Sequence, residues 1–400
     1  MSTIVVQKYG GSSVADLERL GKVADKVVET AHAGHRVVVV VSAMGKTTDQ
    51  LLGLARDVDP EPPRRELDML VSTGERVSMA LLSIALQRRQ VEAISFTGSQ
   101  AGIITTDRHF DARITEIRPW RIEEELAKGR VVIVAGYQGV SDRREITTLG
   151  RGGSDTTAVA LAAALDAERC EIYSDVDGVY SADPRVVPEA KHLPEIDHAS
   201  LQIAAENGAK VLNAQAVEWA KRAGIRIYAR HTGHKYAGAK PVEGSRQTVV
   251  GSERTSARLV SGERGIVQLT FSGERPLLAL GEALEAAQVS ARTLVTDPSG
   301  NLVARFSLLN VPDWPRARRA LLDALDRKGN VTLREGLAAA TVVGDGLTGF
   351  EGPFGGAKLA RLAATVGAEI VAAELGPLSA TILTEEQHLD ALVRAFHGAF

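Results

Sequence analysis

Short apolar runs alternate with amphipathic stretches along residues 1–230. The runs are about five residues long and rich in valine and isoleucine, which is typical of strands buried on both faces of a parallel sheet. Strands are predicted at Ile4–Lys8, Val37–Ser42, Glu92–Phe96, Val131–Ala135, Glu171–Ser174 and Ile225–Ala229. Helices are predicted at Leu17–Ala33, Glu66–Arg89, Pro119–Lys128, Asp155–Leu165, Ala199–Ala205 and Ala214–Ala223. The pattern predicts a three-layer α/β domain over residues 1–230, built on a mostly parallel sheet.

The pattern changes after a segment rich in glycine, lysine and serine, His231–Gly251, and we predict a linker over residues 231–257. Beyond it, the order strand, helix, strand, strand, helix occurs twice, about 75 residues apart. The first copy is predicted from Ile266–Phe271, Leu277–Ala287, Ala291–Val295, Leu302–Leu308 and Trp314–Arg327. The second is predicted from Thr341–Val343, Ala357–Val366, Glu369–Ala373, Ala380–Leu383 and Glu386–Phe396. We therefore expect two small α+β units, over residues 258–335 and 336–400.

Composition narrows the class of protein. The 400 residues are 44% hydrophobic, which is enough for a substantial core in two or three domains. A net charge of −3 without a basic run argues against nucleic acid or an anionic membrane surface as partner. Cys170 is the single cysteine, so no disulfide framework or cysteine-based zinc site is expected. The apolar stretches are short for a bilayer span and the start lacks signal-peptide character, so we expect a soluble cytoplasmic protein.

The loop from Thr147 to Thr157 predicts an anion site. Its glycines surround Arg151, and the helix-forming run Ala158–Leu165 follows, with Ser154 or Asp155 as a suitable N-cap. Free N–H groups at a helix start attract anions, and a guanidinium fits a carboxylate or phosphate. The alternative is an ordinary glycine loop with a surface arginine.

Further loops follow other predicted strands. Lys8 lies at the end of the first strand, before the Gly10-Gly11 turn, where a lysine can reach a phosphate. The next strand leads to Gly45-Lys46-Thr47-Thr48, which is not a P-loop because Val40 occupies the position of its first glycine. We expect Lys46 to be solvated, whereas the threonine hydroxyls are plausible ligand contacts.

Three more segments have an ordinary structural explanation when each is considered alone. Glu75-Arg76 is compatible with a solvated helix pair, and Asp175 and Asp177 with simple turn formers. Lys210 precedes a short apolar run. Because such loops meet at the carboxyl ends of parallel strands, the set together predicts a polyphosphate and a carboxylate substrate.

These segments closely resemble the aspartate kinases. The matching strings occur in order at Gln7–Val14, Val39–Asp49, Glu66–Ser78, Gly98–Gly102, Ala112–Ile114, Thr147–Thr157 and Tyr173–Arg185. They cover residues 1–230 with hardly a gap. The resemblance weakens afterwards, where the two small units resemble the paired ACT domains of that family.

The resemblance implies an amino acid kinase fold and phosphorylation of the side-chain carboxylate of L-aspartate by Mg-ATP. The products are 4-phospho-L-aspartate and ADP, in the first step towards lysine, threonine and methionine. Mg²⁺ would bind mainly through the nucleotide phosphates, without a metal site on the protein. The implied catalytic residues are Lys8, Asp155 and Lys210, with Asp155 orienting Lys8. The implied ATP-binding residues are Lys8, Gly10, Gly11, Ser12, Ser42, Ser174, Asp175, Tyr180, Arg185, Lys210 and Val211. The implied aspartate-binding residues are Thr48, Glu75, Arg151, Gly152, Gly153 and Ser154.

The chain also departs from the family pattern. After Lys210-Val211-Leu212 the family often has His-Pro-Arg, whereas this chain has Asn213-Ala214-Gln215. In the first ACT-like unit, Arg292 replaces an acidic position of the effector site, and this charge would repel an effector's ammonium. We therefore hypothesise that inhibition by lysine or threonine is weak or absent. The resemblance also implies a homodimer or higher homo-oligomer.

Two other functions compete with aspartate kinase. One is another carboxylate or carbamate kinase of the same fold, against which Glu75, Arg151 and the ACT-like pair argue. The other is a non-catalytic amino acid sensor with a decayed kinase part, against which the presence of Lys8, Asp155 and Lys210 argues.

Overall fold

The computed structural model describes residues 2–311, 313–347 and 354–400, which form two compact units. The first unit comprises Met1–Ser181, Lys191–Glu206 and Lys210–Ala257. The second comprises Ala182–Ala190, Asn207–Ala209 and Arg258–Phe400. Two short segments inside the range predicted for the catalytic domain therefore belong to the second unit.

The first unit contains sixteen strands and eight helices among the described residues. The strands are β1 (Ile4–Tyr9), β2 (Arg36–Val41), β3 (Ala93–Phe96), β4 (Ile103–Thr105), β5 (Ile114–Ile117), β6 (Val131–Ala135), β7 (Gln138–Ser141), β8 (Ile146–Thr148), β9 (Arg169–Ser174), β10 (Val179–Tyr180), β11 (His192–Leu193), β12 (Glu195–Asp197), β13 (Ile227–His231), β14 (Tyr236–Ala237), β15 (Lys240–Pro241) and β16 (Gln247–Gly251). The helices are α1 (Leu17–His32), α2 (Thr47–Val58), α3 (Arg64–Val71), α4 (Thr73–Arg88), α5 (Trp120–Ala127), α6 (Gly153–Ala164), α7 (His198–Glu206) and α8 (Ala214–Ala223).

An eight-stranded sheet forms the centre of this unit, in the order β12-β16-β13-β9-β1-β2-β6-β3. The pairs from β13 to β3 are parallel, and β16 runs antiparallel to β13. The valines of β2 are almost fully buried because the sheet is covered on both faces, as the apolar pattern predicts. Helix α6 is buried around its whole circumference as far as Ala162, which fits its uniformly apolar sequence.

Two segments differ from the sequence expectation. Residues 231–257, predicted as a linker, instead contribute β14, β15 and β16, and β16 is a strand of the main sheet. The predicted helix Glu66–Arg89 is two helices, α3 and α4, which meet at Ser72. This stretch is also the one candidate membrane span within the described residues, and half of its apolar window is buried in the protein.

The second unit is a six-stranded sheet formed by both predicted copies. Its strands are β17 (Leu259–Gly273), β18 (Thr293–Thr296), β19 (Leu302–Ser307), β20 (Gly329–Val343), β21 (Ala372–Leu375) and β22 (Ser379–Glu385), and its helices are α9 (Pro276–Ala286), α10 (Trp314–Leu325), α11 (Gly356–Thr365) and α12 (Leu389–His397). The order is β18-β19-β17-β20-β22-β21, with β17 and β20 antiparallel at the centre.

The two copies share their central strands, β17 and β20. One half of each strand pairs within its own copy, and the other half extends into the sheet of the other copy. The pattern predicts β17 and β20 as short strands, but both are fifteen residues long and pair along their length, with a bulge near their middle. The C-terminal half of β17 pairs with β19 and the C-terminal half of β20 with β22. The limits 258–335 and 336–400 stay a prediction, since the two copies share these strands.

Arg292 forms an ion pair that the sequence does not reveal. Its guanidinium donates two hydrogen bonds to Glu263, whose carboxylate is buried on β17. Both residues line a cavity of about 50 Å³, together with Arg305 and Glu374, which form a second ion pair. The positive charge of Arg292 is therefore compensated within the unit, which weakens the repulsion expected from the sequence alone.

Candidate active site

Three loops meet at the carboxyl ends of the central strands β1, β2 and β9. The N–H of Ser42 donates to the carbonyl of Tyr9, and the N–H of Gly10 donates to that of Tyr173, both at 3.1 Å. The N–H of Gly45 donates to the carbonyl of Gly11 at 3.0 Å. A Cβ on Gly11 would lie 2.9 Å from the carbonyl oxygen of Ala43, so this contact requires glycine. The loop that follows β1 and the loop that follows β2 therefore form one continuous wall of the candidate site.

Lys8 and Asp155 form the central ion pair of this edge. Lys8 Nζ lies 2.6 Å from Asp155 Oδ1, and each side chain is about one tenth exposed. Lys8 lies near the end of β1, and Asp155 lies in the first turn of α6. The end of a strand and the start of a helix therefore hold the two charges. The structure therefore brings Lys8 next to the glycine loop that carries Arg151, four residues before Asp155.

The glycine loop begins α6 in a different way from the prediction. The N-cap is Gly152, in a left-handed conformation with φ of 71°, rather than Ser154 or Asp155. Both of these side chains lie buried in the first turn. The N–H groups of Gly153 and Asp155 already donate within the turn, to Gly150 and Gly152, so part of the predicted nest is used internally. The side chain of Arg151 is exposed and can reach a ligand.

Asn213 holds this loop from the neighbouring helix. Its side-chain Nδ2 donates to the carbonyl of Arg151 at 2.6 Å, and its Oδ1 accepts from Thr156 Oγ1 at 3.2 Å. The same Oδ1 accepts the N–H of Gln215 and thereby caps α8. The departure from the family pattern at this position therefore has a structural role beside Lys210 and Val211.

Glu75 presents a buried carboxylate to the site. It is 3% exposed at the start of α4; its Oε1 accepts the N–H of Ala43 at 3.1 Å. Its Oε2 is buried without a hydrogen-bond partner among the described residues. Burial raises the pKa of Glu75 to about 7, opposed by its backbone hydrogen bonds. The arrangement differs from the solvated helix pair that the sequence also allows, and it favours a cationic ligand group at Oε2.

Tyr137 also lies beside the glycine loop, although the sequence alone does not single it out. Its backbone has a φ of 68°, its N–H donates to Thr157 Oγ1 at 3.2 Å, and its ring lies against Gly153. Burial raises the pKa of its hydroxyl, on which the charges of Glu75 and Arg151 also act. The string Gly-Tyr-Gln-Gly at the end of a predicted strand was the available signal.

The residues predicted for the nucleotide are distributed over both units. Ser174 and Tyr180 are partly buried, and Tyr180 donates to Asp177 at 2.8 Å and packs edge-on against His192. Asp175 and Lys210 are exposed, whereas Val211 is half-buried. Arg185 belongs to the second unit, where its guanidinium donates two hydrogen bonds to Asp183.

The remaining predicted residues lie on the same loops. Ser12, Ser42 and Thr48 are each half-buried, with Thr48 in the first turn of α2. Lys46 is exposed, as expected for a solvated lysine. Within residues 2–311, 313–347 and 354–400, no group of three or more histidine, cysteine, aspartate or glutamate side chains is arranged to hold a metal ion.

Comparison with known proteins adds independent findings. The model of the amino acid kinase family matches residues 3–231. An aspartokinase of Mycolicibacterium smegmatis is 40% identical over 408 residues, which cover 99% of this chain and 96% of that protein. An aspartokinase of Corynebacterium glutamicum is also 40% identical, with the same coverage.

Two solved structures of E. coli aspartokinase III are similar over 99% of both chains. One, in complex with aspartate and ADP in the R-state, has a TM-score of 0.84 at 25% identity. The other, in complex with lysine and aspartate in the T-state, has a TM-score of 0.68 at 26% identity.

Proposed function

The chain belongs to the aspartokinases of the amino acid kinase family, and we propose how its residues carry out the reaction. The enzyme transfers the terminal phosphoryl group of ATP to the side-chain carboxylate of L-aspartate, which gives 4-phospho-L-aspartate and ADP. The observation that carries the residue assignment is the carboxylate oxygen Oε2 of Glu75, which has no partner in the described part of the chain and lies at the same sheet edge as the ion pair of Lys8 and Asp155.

The aspartate subsite is defined by charge. The substrate ammonium pairs with Glu75 Oε2, because an amino acid supplies the cation that this buried oxygen lacks. The exposed guanidinium of Arg151 binds a substrate carboxylate through two parallel hydrogen bonds. Thr48, Ser154 and the backbone of Gly152 and Gly153 complete the subsite.

The nucleotide subsite lies on the other side of Lys8. Lys8, Gly10, Gly11, Ser12 and Ser42 contact the phosphates. Ser174, Asp175, Tyr180 and Val211 line the rest of the nucleotide site, and Lys210 supplies a further positive charge. Mg²⁺ arrives with ATP and neutralises its phosphates.

The chemistry needs little beyond positioning and charge. A carboxylate nucleophile is ionised at neutral pH, so no general base is required. Lys8 lies between the two subsites and stabilises the negative charge that spreads over the transferring group. Asp155 keeps the ammonium of Lys8 in that place. The acceptor carboxylate is held in line by Arg151 and Glu75 at the opposite end of the substrate.

The direct test is release of ADP from Mg-ATP with L-aspartate, combined with hydroxylamine trapping of the acyl phosphate as a hydroxamate. N-acetyl-L-aspartate is the matched control, because it keeps both carboxylates and lacks the ammonium that Glu75 binds. We expect turnover with aspartate and almost none with the control. Faster turnover with another carboxylate or with carbamate would assign a different kinase activity. Aspartate binding without ADP release would assign a sensor.

The proposal extends to the setting of the enzyme. The enzyme works in the cytoplasm, where ATP and free aspartate are available, and assembles as a homodimer or a higher homo-oligomer. The second unit is the place for an amino acid effector, and the similar E. coli aspartokinase III in the T-state is a complex with lysine and aspartate. Inhibition of the enzyme by lysine or threonine is weak or absent.

A further inference from the structure

Three separate elements meet at one buried carboxylate outside the residues assigned so far. Asp68, on α3, is fully buried. It accepts hydrogen bonds from Thr148 Oγ1 at 2.6 Å and from the N–H of Thr148 at 3.2 Å. It also accepts from the N–H of Phe110 at 3.1 Å and contacts His109 Nδ1 at 2.8 Å. Helix α3, the loop 106–112 and strand β8 are therefore joined at a single side chain.

The free-energy cost of burying Asp68 indicates that this side chain does more than pack against its neighbours. Burying a carboxylate is unfavourable, and burial raises the pKa of Asp68 against the effect of its hydrogen bonds. The loop is also strained at Phe110, whose φ of 72° is unfavourable for a side chain that is not glycine. Asp68 binds the N–H of this strained residue and thereby stabilises the conformation.

The loop held by Asp68 packs against the start of the glycine loop. The N–H of Ala112 donates to the carbonyl of Thr148 at 2.9 Å, which ties the loop to the end of β8. A Cβ on Gly150 would lie 3.0 Å from Asp111 Oδ1 and 3.4 Å from the carbonyl of Phe110. Gly150 directly precedes Arg151, so the position of this loop fixes the origin of the Arg151 side chain.

We propose that Asp68 and His109 form a positioning pair that sets Arg151 for aspartate, an inference that rests on the proposed function. The pair does not contact the substrate. It acts through the backbone of Phe110, which packs against Gly150, and of Thr148, two residues before Gly150. An Asp68→Asn substitution keeps the shape but replaces one acceptor oxygen by an NH₂ group that faces N–H donors. The loop then moves away, and Arg151 loses its place more than Lys8 does.

Steady-state kinetics on the full chain separate positioning from a merely structural role. We expect Asp68→Asn to raise the KM for aspartate by about tenfold or more, with the KM for ATP nearly unchanged. His109→Ala should raise the same KM to a smaller extent. His109→Asn should restore it, because the amide Nδ2 takes the place of the imidazole Nδ1. His109 is partly exposed, so its variants decide the question if Asp68→Asn does not fold.

Asp197→Asn is the matched control. Asp197 is also buried in the first unit and accepts hydrogen bonds from the N–H and Oγ of Ser200, but it stands on β12, at the far edge of the main sheet. We expect this variant to lose thermal stability and keep the ratio of the two KM values. Unchanged aspartate KM in Asp68→Asn or His109→Ala, or an equal rise for both substrates, would overturn the inference. A wild-type enzyme without aspartate-dependent ADP release would instead overturn the proposed function.

Discussion

Asn213 binds the carbonyl of Arg151 through a 2.6 Å hydrogen bond and caps α8 with the other end of the same amide. The two contacts connect the helix that follows Lys210 and Val211 to the loop proposed for aspartate. One side chain therefore links the structural elements of the two proposed subsites. The family's frequent His-Pro-Arg is absent here, and this chain uses the asparagine instead.

Asn213 variants test this coupling. Asn213→Ala should lower the free energy of unfolding by about 1 kcal/mol through loss of the cap and raise the KM for aspartate several-fold. Asn213→Asp keeps an acceptor for the N–H of Gln215 but no longer donates to Arg151. Asn213→Asp should therefore have the wild-type free energy of unfolding but still have a raised KM for aspartate. Thermal unfolding and steady-state kinetics measure the two quantities. Recovery of both would show that the cap alone matters.

Lys8→Ala tests the proposed charge stabilisation. Loss of an electrostatic donor at the transferring group should lower turnover on the order of 10²-fold or more. Lys46→Ala is the control, because Lys46 is an exposed lysine on the adjacent loop and should leave turnover unchanged. The measurement is kcat at saturating Mg-ATP and aspartate. A decrease of only a few-fold in Lys8→Ala would remove Lys8 from this role.

Arg151→Ala tests the substrate assignment. Because the guanidinium is proposed to bind the substrate carboxylate, its loss should raise the KM for aspartate far more than the KM for ATP. Arg56→Ala, at an exposed position on α2, should change neither value. Separate titrations of each substrate supply the comparison. Equal rises for both substrates in Arg151→Ala would contradict the assignment.

The pKa of Glu75 predicts how aspartate binding depends on pH. This pKa lies at about 7, above the usual 4.5, and only the ionised carboxylate pairs with an ammonium. Between pH 8 and pH 6 the ionised fraction falls, so the KM for aspartate should rise about tenfold at saturating Mg-ATP. Glu75→Gln should have a raised KM that no longer varies in this range. A flat profile in the wild type would refute the pairing.

The raised pKa of Glu75 has the opposite effect on the free enzyme: aspartate binding improves as the pH rises, whereas the stability of the free enzyme falls. Because the folded-state pKa is raised, the protonated carboxyl stabilises the free enzyme fully below about pH 4.5, and this contribution is lost as the pH rises through about 7. Aspartate should therefore give its largest increase in the unfolding temperature near pH 8. Thermal scans with and without aspartate measure this difference, and Glu75→Gln should abolish its pH dependence.

The ion pair of Arg292 and Glu263 bears on regulation. Since the guanidinium already occupies the buried carboxylate, an effector's ammonium would have to displace it. We expect neither lysine nor threonine to inhibit the enzyme at sub-millimolar concentration. Arg292→Ala leaves Glu263 available and should respond at least as strongly as the wild type. Strong inhibition of the wild type in an ADP-release titration would contradict this expectation.

The sequence by itself determined the six parallel strands of the main sheet and the loops that follow them. Valine runs such as Arg36–Val41 have one stable environment, a strand covered on both faces, so their place in the sheet follows from composition. Lys8, the Gly10-Gly11 turn and Arg151 follow strand ends or precede a helix, and parallel topology places such loops at one edge. The match to the aspartokinases confirms the fold and the activity read from these motifs.

Only the tertiary structure decided which polar groups lose water and which partners they find. Glu75-Arg76 is compatible with a solvated pair in the sequence, but the fold buries Glu75 and leaves its Oε2 without a partner among the residues that the structure describes. Asp68 carries no local signal for its contacts with Thr148 and Phe110. The strand Gln247–Gly251 lies in a segment rich in glycine, lysine and serine, so the local pattern does not predict a strand there. It joins the main sheet by pairing with β13. Burial, pairing and charge compensation depend on residues far apart in the chain, and local patterns do not encode them.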